Sequence, residues 1–72
     1  MGASAFEILE QALNIPNILV QVAVVSAFGS LGDERGLEIL SSLAKDETVD
    51  PYLKESAGSA LSRLEQIIKF NG

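Results

Sequence analysis

A chain that states one pattern twice has few ways to fold, and this one repeats itself over most of its length. Val20-Gln21-Val22-Ala23-Val24-Val25-Ser26-Ala27-Phe28-Gly29-Ser30-Leu31 returns 33 positions later as Leu53-Lys54-Glu55-Ser56-Ala57-Gly58-Ser59-Ala60-Leu61-Ser62-Arg63-Leu64. A shorter string precedes each copy, Phe6-Glu7-Ile8-Leu9 and then Leu37-Glu38-Ile39-Leu40, 31 positions apart. Two helices repeated in this way are the mark of a helical solenoid, whose units bury their apolar sides only against neighbours. The two offsets differ by two residues, and that difference falls between the helices of each unit, where extra length costs little.

Local signals place four helices. Ser4 stands three residues before Glu7, the spacing of a capping box, so a first helix is predicted from about Ala5 to Leu13 with Phe6, Leu9 and Leu13 along one side. Pro16 disfavours helix at Ile15, and Asn17 is a good N-cap. The second helix is predicted over Ile18 to Leu31, stopped by Gly32, with Asp33 capping a third from Glu34 to about Lys45. Leu37, Leu40 and Leu43/Ala44 point inward on it. Asp46-Glu47-Thr48-Val49 reads as a loop, and Asp50-Pro51 as the start of a fourth helix reaching roughly Lys69. The expectation is one all-α domain over residues 1–72, with repeat 1 at about 5–32 and repeat 2 at about 33–69.

These residues resemble the HEAT-like repeats first described in phycobilisome lyase subunits. Ala23-Val24 and Ala27-Phe28-Gly29-Ser30-Leu31-Gly32-Asp33 are similar to the second helix of that family, and Leu53-Lys54, Ala57, Ala60-Leu61 and Leu64 repeat the match. The resemblance runs from about Phe6 to Leu64 and implies two HEAT-like helical hairpins in a short right-handed α-α solenoid. Two positions depart from the pattern. The basic residue early in the second helix is Gln21 in the first unit and Lys54 in the second, and a loop Asp has a counterpart only at Asp46. What the family implies about function is adaptor-like protein binding.

Composition narrows the chemistry. The chain has no His and no Cys, so Ser-His-Asp and Cys-His constellations and thiolate metal sites are ruled out. None of the serines lies in a Gly-x-Ser-x-Gly elbow. Gly58-Ser59 reads as helix packing, and Gly29-x-x-Gly32 ends a helix where a phosphate cradle would open one. Glu7/Glu10 and Glu34/Glu38 fall on polar helix faces, and Asp46-Glu47-x-x-Asp50 lacks the glycine and distal Glu of an EF-hand loop. No catalytic residue, cofactor or metal site is expected, and the chain is read as not an enzyme. A net charge of -5 repels phosphate backbones, arguing against nucleic acid. The apolar run from Ile18 to Phe28 is interrupted by Gln21 and Ser26 and is too short to span a membrane. With no signal-peptide pattern at the start, a cytoplasmic protein is expected.

The second helix poses the sharpest question, because it is apolar nearly all round. Val20, Val24, Ala27, Phe28 and Leu31 form the face assigned to the core. Ile18, Val22, Val25 and Gly29 form an opposite stripe whose counterparts, Pro51, Glu55, Gly58 and Ser62, are polar or small. The stripe reads either as covered by another helix or copy, or as a docking surface on the helix 2/helix 4 face. In the second reading the chain is a protein-protein interaction module, with Ile18, Val22 and Val25 as anchors and Gln21, Lys54 and Glu55 at the rim. The alternatives are a non-catalytic subunit of a bilin lyase or related multi-subunit enzyme, as the resemblance implies, and a homodimer or terminal part of a longer solenoid. Ile67, Ile68 and Phe70 follow the repeat, where a third unit would stack, and are candidates for self-association.

Overall fold

A computed structural model describes Gly2 and residues 4–71. Among these residues the regular structure is helical throughout, with no strand: α1 Ala5–Ala12, α2 Ile18–Leu31, α3 Arg35–Lys45 and α4 Pro51–Asn71. The punctuation residues act where the sequence places them. Ser4 Oγ accepts the Glu7 amide at 3.2 Å and donates to Glu7 Oε1, so the carboxylate meets the cap's hydroxyl and not its backbone N–H. Asn17 Oδ1 accepts from the amides of Leu19 and Val20 at 2.9 and 3.3 Å, Asp33 Oδ1 from Arg35 at 2.9 Å, and Asp50 Oδ1 from Tyr52 at 2.8 Å. All four helices thus begin on a side-chain oxygen that satisfies otherwise orphaned amides.

Boundaries move by one or two residues. Leu13 caps α1, α3 starts at Arg35, and α4 runs on to Asn71. Gly32 closes α2 in the left-handed region at φ 77°, a conformation in which a Cβ would stand 3.2 Å from Ile67 Cγ2. Gly32→Ala should therefore cost about 1–2 kcal/mol and lower the melting temperature by roughly 4–8 °C per kcal/mol, read by circular dichroism.

Packing centres on α2 and α4. The two lie against each other along their lengths, α3 packs on α4, and α1 packs on α2. The core consists of Phe6 from α1, Val24, Val25 and Phe28 from α2, Leu40 from α3, and Leu53, Ala57, Ala60 and Leu64 from α4. Phe6 and Phe28 meet with ring centroids 5.3 Å apart and planes tilted by 57°, close to the favoured edge-to-face range. The Cα atoms fill a slab of 33 × 31 × 16 Å. Its thin dimension is no deeper than two packed helices, so few side chains are covered on every side.

The burial pattern corrects the reading of α2. Val25 has no exposed surface, and Gly29 is buried against α4, where a Cβ would stand 2.9 Å from Ala60 Cβ and 3.0 Å from its Cα and carbonyl oxygen. Val25 and Gly29 are therefore the contact surface between the two halves of the chain and not an open stripe. Leu31, expected in the core, is exposed. Gly58, expected to pack, faces open space with nothing within 4 Å of a Cβ. The contrast with the polar counterparts follows: Val25 and Gly29 meet α4, whereas among the described residues nothing stands against Gly58 and Ser62 is exposed.

Candidate protein-docking groove

A broad concavity lies between α1 and α3, which scarcely touch beyond one cation-π contact. The cause is a difference in length. α1 has eight residues and α3 eleven, about 12 and 16 Å of helix. In the repeat register Ala12 stands where the second unit has Leu43, so the first unit offers a shorter helix with a smaller terminal side chain. The groove left beside Leu43 encloses about 940 Å³.

Its apolar lining is Phe6 and Leu13 from the first unit, Ile39 and Leu43 from α3, and Val49 and Leu53 from the last connection and α4. Gln21 reaches it from α2, with Nε2 donating to the Leu13 carbonyl at 3.4 Å and so tying the end of α1 to α2. At the end where α1 and α3 begin, Arg35 lays its guanidinium 4.2 Å over the Phe6 ring. The same guanidinium forks onto Asp33, with Nη2 2.6 Å from Oδ2 and Nε 3.0 Å from Oδ1. These bonds hold the Asp33 carboxyl below the usual carboxylate range and push the Arg35 guanidinium up, each favouring the charged form.

With Arg35 already committed to Asp33 and Phe6, the remaining charges on the groove are carboxylates. Glu10, Glu38 and Asp50 are all exposed along it, and none joins an ion pair among the described residues. An apolar floor edged by three unpaired negative charges suits the apolar side of a helix or extended segment flanked by Lys or Arg.

The six residues singled out from sequence do not form one surface. Val25 is core. Gln21 turns toward the α1–α3 groove. Val22 is half-buried and lines a smaller cleft of about 200 Å³ between α2 and α4, with Ser26, Tyr52, Glu55, Ser56 and Arg63. Lys54 is half-buried and donates Nζ to Glu47 Oε1. Ile18 sits exposed at the start of α2. Only Val22 and Glu55 share a concavity. At the far end Ile68 is half-buried against the core and Ile67 lies beside Gly32, leaving Phe70, 83% exposed, as the open part of the tail. Sequence reasoning missed Glu10, Ile39 and Leu43 as neighbours in a groove. The signal was present in the Ala12/Leu43 mismatch and the two-residue difference between units, but neither shows that the outer helices part.

Fold and groove together define a chain that is all-helical over its described residues and carries an acidic-edged apolar groove. Among the described residues no helix is long and apolar enough to cross a membrane, and no three His, Cys, Asp or Glu side chains gather into a metal-holding group. The chain is 39% identical, over 71 residues, to a protein of Pseudanabaena tenuis (strain PCC 7409) named uncharacterized phycocyanin operon protein Z. That alignment takes in 97% of this chain and 35% of the relative, so the chain spans about a third of the relative's length. No family model matches the sequence, and no solved structure matches it.

Proposed function

We propose that this chain is a non-catalytic protein-interaction module built from two HEAT-like helical hairpins, and that it holds its partner in the α1–α3 groove. The groove carries this reading: it joins apolar lining and unpaired carboxylates in one concavity, whereas the helix 2/helix 4 face offers only the small cleft beside Val22. The repeat offsets and the face-to-face packing of α2 and α4 support the solenoid assignment. The partner segment presents leucine-like side chains to Ile39, Leu43 and Leu53, with basic residues opposite Glu10, Glu38 and Asp50. A few such anchors, each worth roughly 1.5–3 kcal/mol when fully buried, sustain micromolar binding after ordering costs.

The test is titration calorimetry with a 14-residue amphipathic peptide of Leu and Lys, with a Leu/Glu peptide of the same pattern as control. The Leu/Lys peptide should bind at least tenfold more tightly than the control. The exposed double variant Glu10→Lys/Glu38→Lys should erase that preference without changing the melting curve. Equal binding of both peptides, or an unchanged preference in the variant, would sink the reading.

The likeness to a phycocyanin operon protein favours one setting for this activity, as an accessory subunit in the assembly or chromophore loading of a phycobiliprotein. Titration with isolated phycocyanin subunits addresses it directly. Binding lost in the Glu10/Glu38 variant supports that setting, and no binding removes it.

A further inference from the structure

Among the described residues Phe6 is the one aromatic side chain on the α1–α3 groove and Arg35 the one cation, and the cation lies on the ring. Phe6 is only 6% exposed. Phe28 meets it from the core at 5.3 Å between centroids, and the Arg35 guanidinium covers a ring face at 4.2 Å. The Arg35 side chain is itself 57% exposed, so this cover is a single layer. At an exposed site the ring alone holds a cation weakly. The firmer hold comes from Asp33, which takes Nε at 3.0 and 3.2 Å and Nη2 at 2.6 Å. Asp33 Oδ1 also accepts the Arg35 amide at 2.9 Å, so the residue is fixed at its backbone and at its tip. A planar fork that grips a carboxylate while lying flat on a ring is a property of Arg that Lys lacks. Along α3 the cover stands four residues, about 6 Å, before Ile39. The apolar floor therefore runs from Leu53 past Leu43 to Ile39 and stops at Arg35, although a further ring lies directly beneath.

We infer that Arg35 is a specificity-determining residue of the groove: held by Asp33, it withholds Phe6 and confines the occupant's apolar side to the stretch that ends at Ile39. This rests on the reading of the α1–α3 groove as the binding site. Aromatic contacts are among the strongest anchors at protein interfaces, so a bare Phe6 would reward any segment carrying a Phe one helical turn further on. The cover removes that reward and narrows the set of segments the groove accepts. A seam that merely ties α1 to α3 would affect stability and leave the choice of occupant unchanged.

The test extends the 14-residue Leu/Lys peptide by one turn of four Ala residues, at either end, and compares each with the same peptide carrying Phe in the added turn. Calorimetry reads the ratio of the two affinities. In the parent protein the ratio should stay within about threefold at both ends. In Arg35→Ala it should reach tenfold or more at one end only. The start of α3 survives this change, because Asp33 still accepts the amide of residue 35. Arg35→Met removes the charge but keeps a long side chain that packs on a ring, and should behave as the parent. Asp33→Asn caps α3 equally well but loosens the fork, and should give a smaller ratio of the same sense. That variant decides the matter if Arg35→Ala does not fold. A tenfold ratio already present in the parent, no rise in Arg35→Ala, the same rise in Arg35→Met, or equal rises at both ends overturns the inference while leaving the groove in place. A parent that binds none of the peptides removes the groove reading and this inference together.

Discussion

Val25→Glu should unfold this protein. The side chain has no exposed surface and no basic group is buried with it, so a carboxylate there would be stranded among Val24, Phe28, Leu53 and Ala57. Burying an unpaired charge costs more than the roughly 3–5 kcal/mol of net stability that a core of this size supplies. Far-UV circular dichroism should show loss of helix at room temperature. Val22→Glu, three residues earlier on the open cleft between α2 and α4, should stay folded and melt within a few degrees of the parent. If both variants fold, the packing of α2 on α4 described above is wrong. If both unfold, the cleft is closed in solution.

The second large effect comes from Gly29, where a single substitution separates crowding from helix propensity. Any Cβ at this position comes within 3.0 Å of Ala60 side chain and backbone, and the backbone cannot rotate away. Gly29→Val should cost about 3 kcal/mol by forcing α2 and α4 apart. Gly29→Ala gains about 1 kcal/mol of helix propensity but still loses more than that to the clash. At Gly58, the counterpart of Val25 and equally mid-helix, nothing stands within 4 Å of a Cβ. Gly58→Ala should therefore stabilise by about 1 kcal/mol. Denaturant midpoints measured side by side decide the matter, because the same chemical change must act with opposite sign in neighbouring helices.

Most of the local architecture is legible in the sequence. Asn17, Gly32 and Asp50-Pro51 mark their boundaries because caps and stops act over three or four residues and need nothing from the rest of the chain. The repeat offset likewise pairs Val24 with Ala57, and both are buried. What periodicity does not reveal is which neighbour covers a face. Ile18, Val22, Val25 and Gly29 share one side of a helix, but whether that side meets solvent, a partner or α4 is a tertiary fact. The contrast with Glu55, Gly58 and Ser62 was visible from the start, and its cause is local: Val25 and Gly29 lie buried where α2 meets α4, whereas Gly58 faces open space. The α1–α3 groove lay further out of reach. It depends on where a short helix and a longer one diverge, and individual residues such as Glu10 and Leu43 carry no mark of that.

The charge-free composition of α2 has a bearing on how the molecule is made. From Ile18 to Val25 five of eight residues are β-branched, and Ile18, Val20, Val22 and Val24 alternate along the chain. An extended segment of that kind pairs edge to edge with its own likeness as readily as it coils. The helix that shields Val25, α4, leaves the ribosome after it. Until α4 arrives, the nascent chain holds this β-branched window uncovered, so a fast closure of α4 over it favours a soluble product.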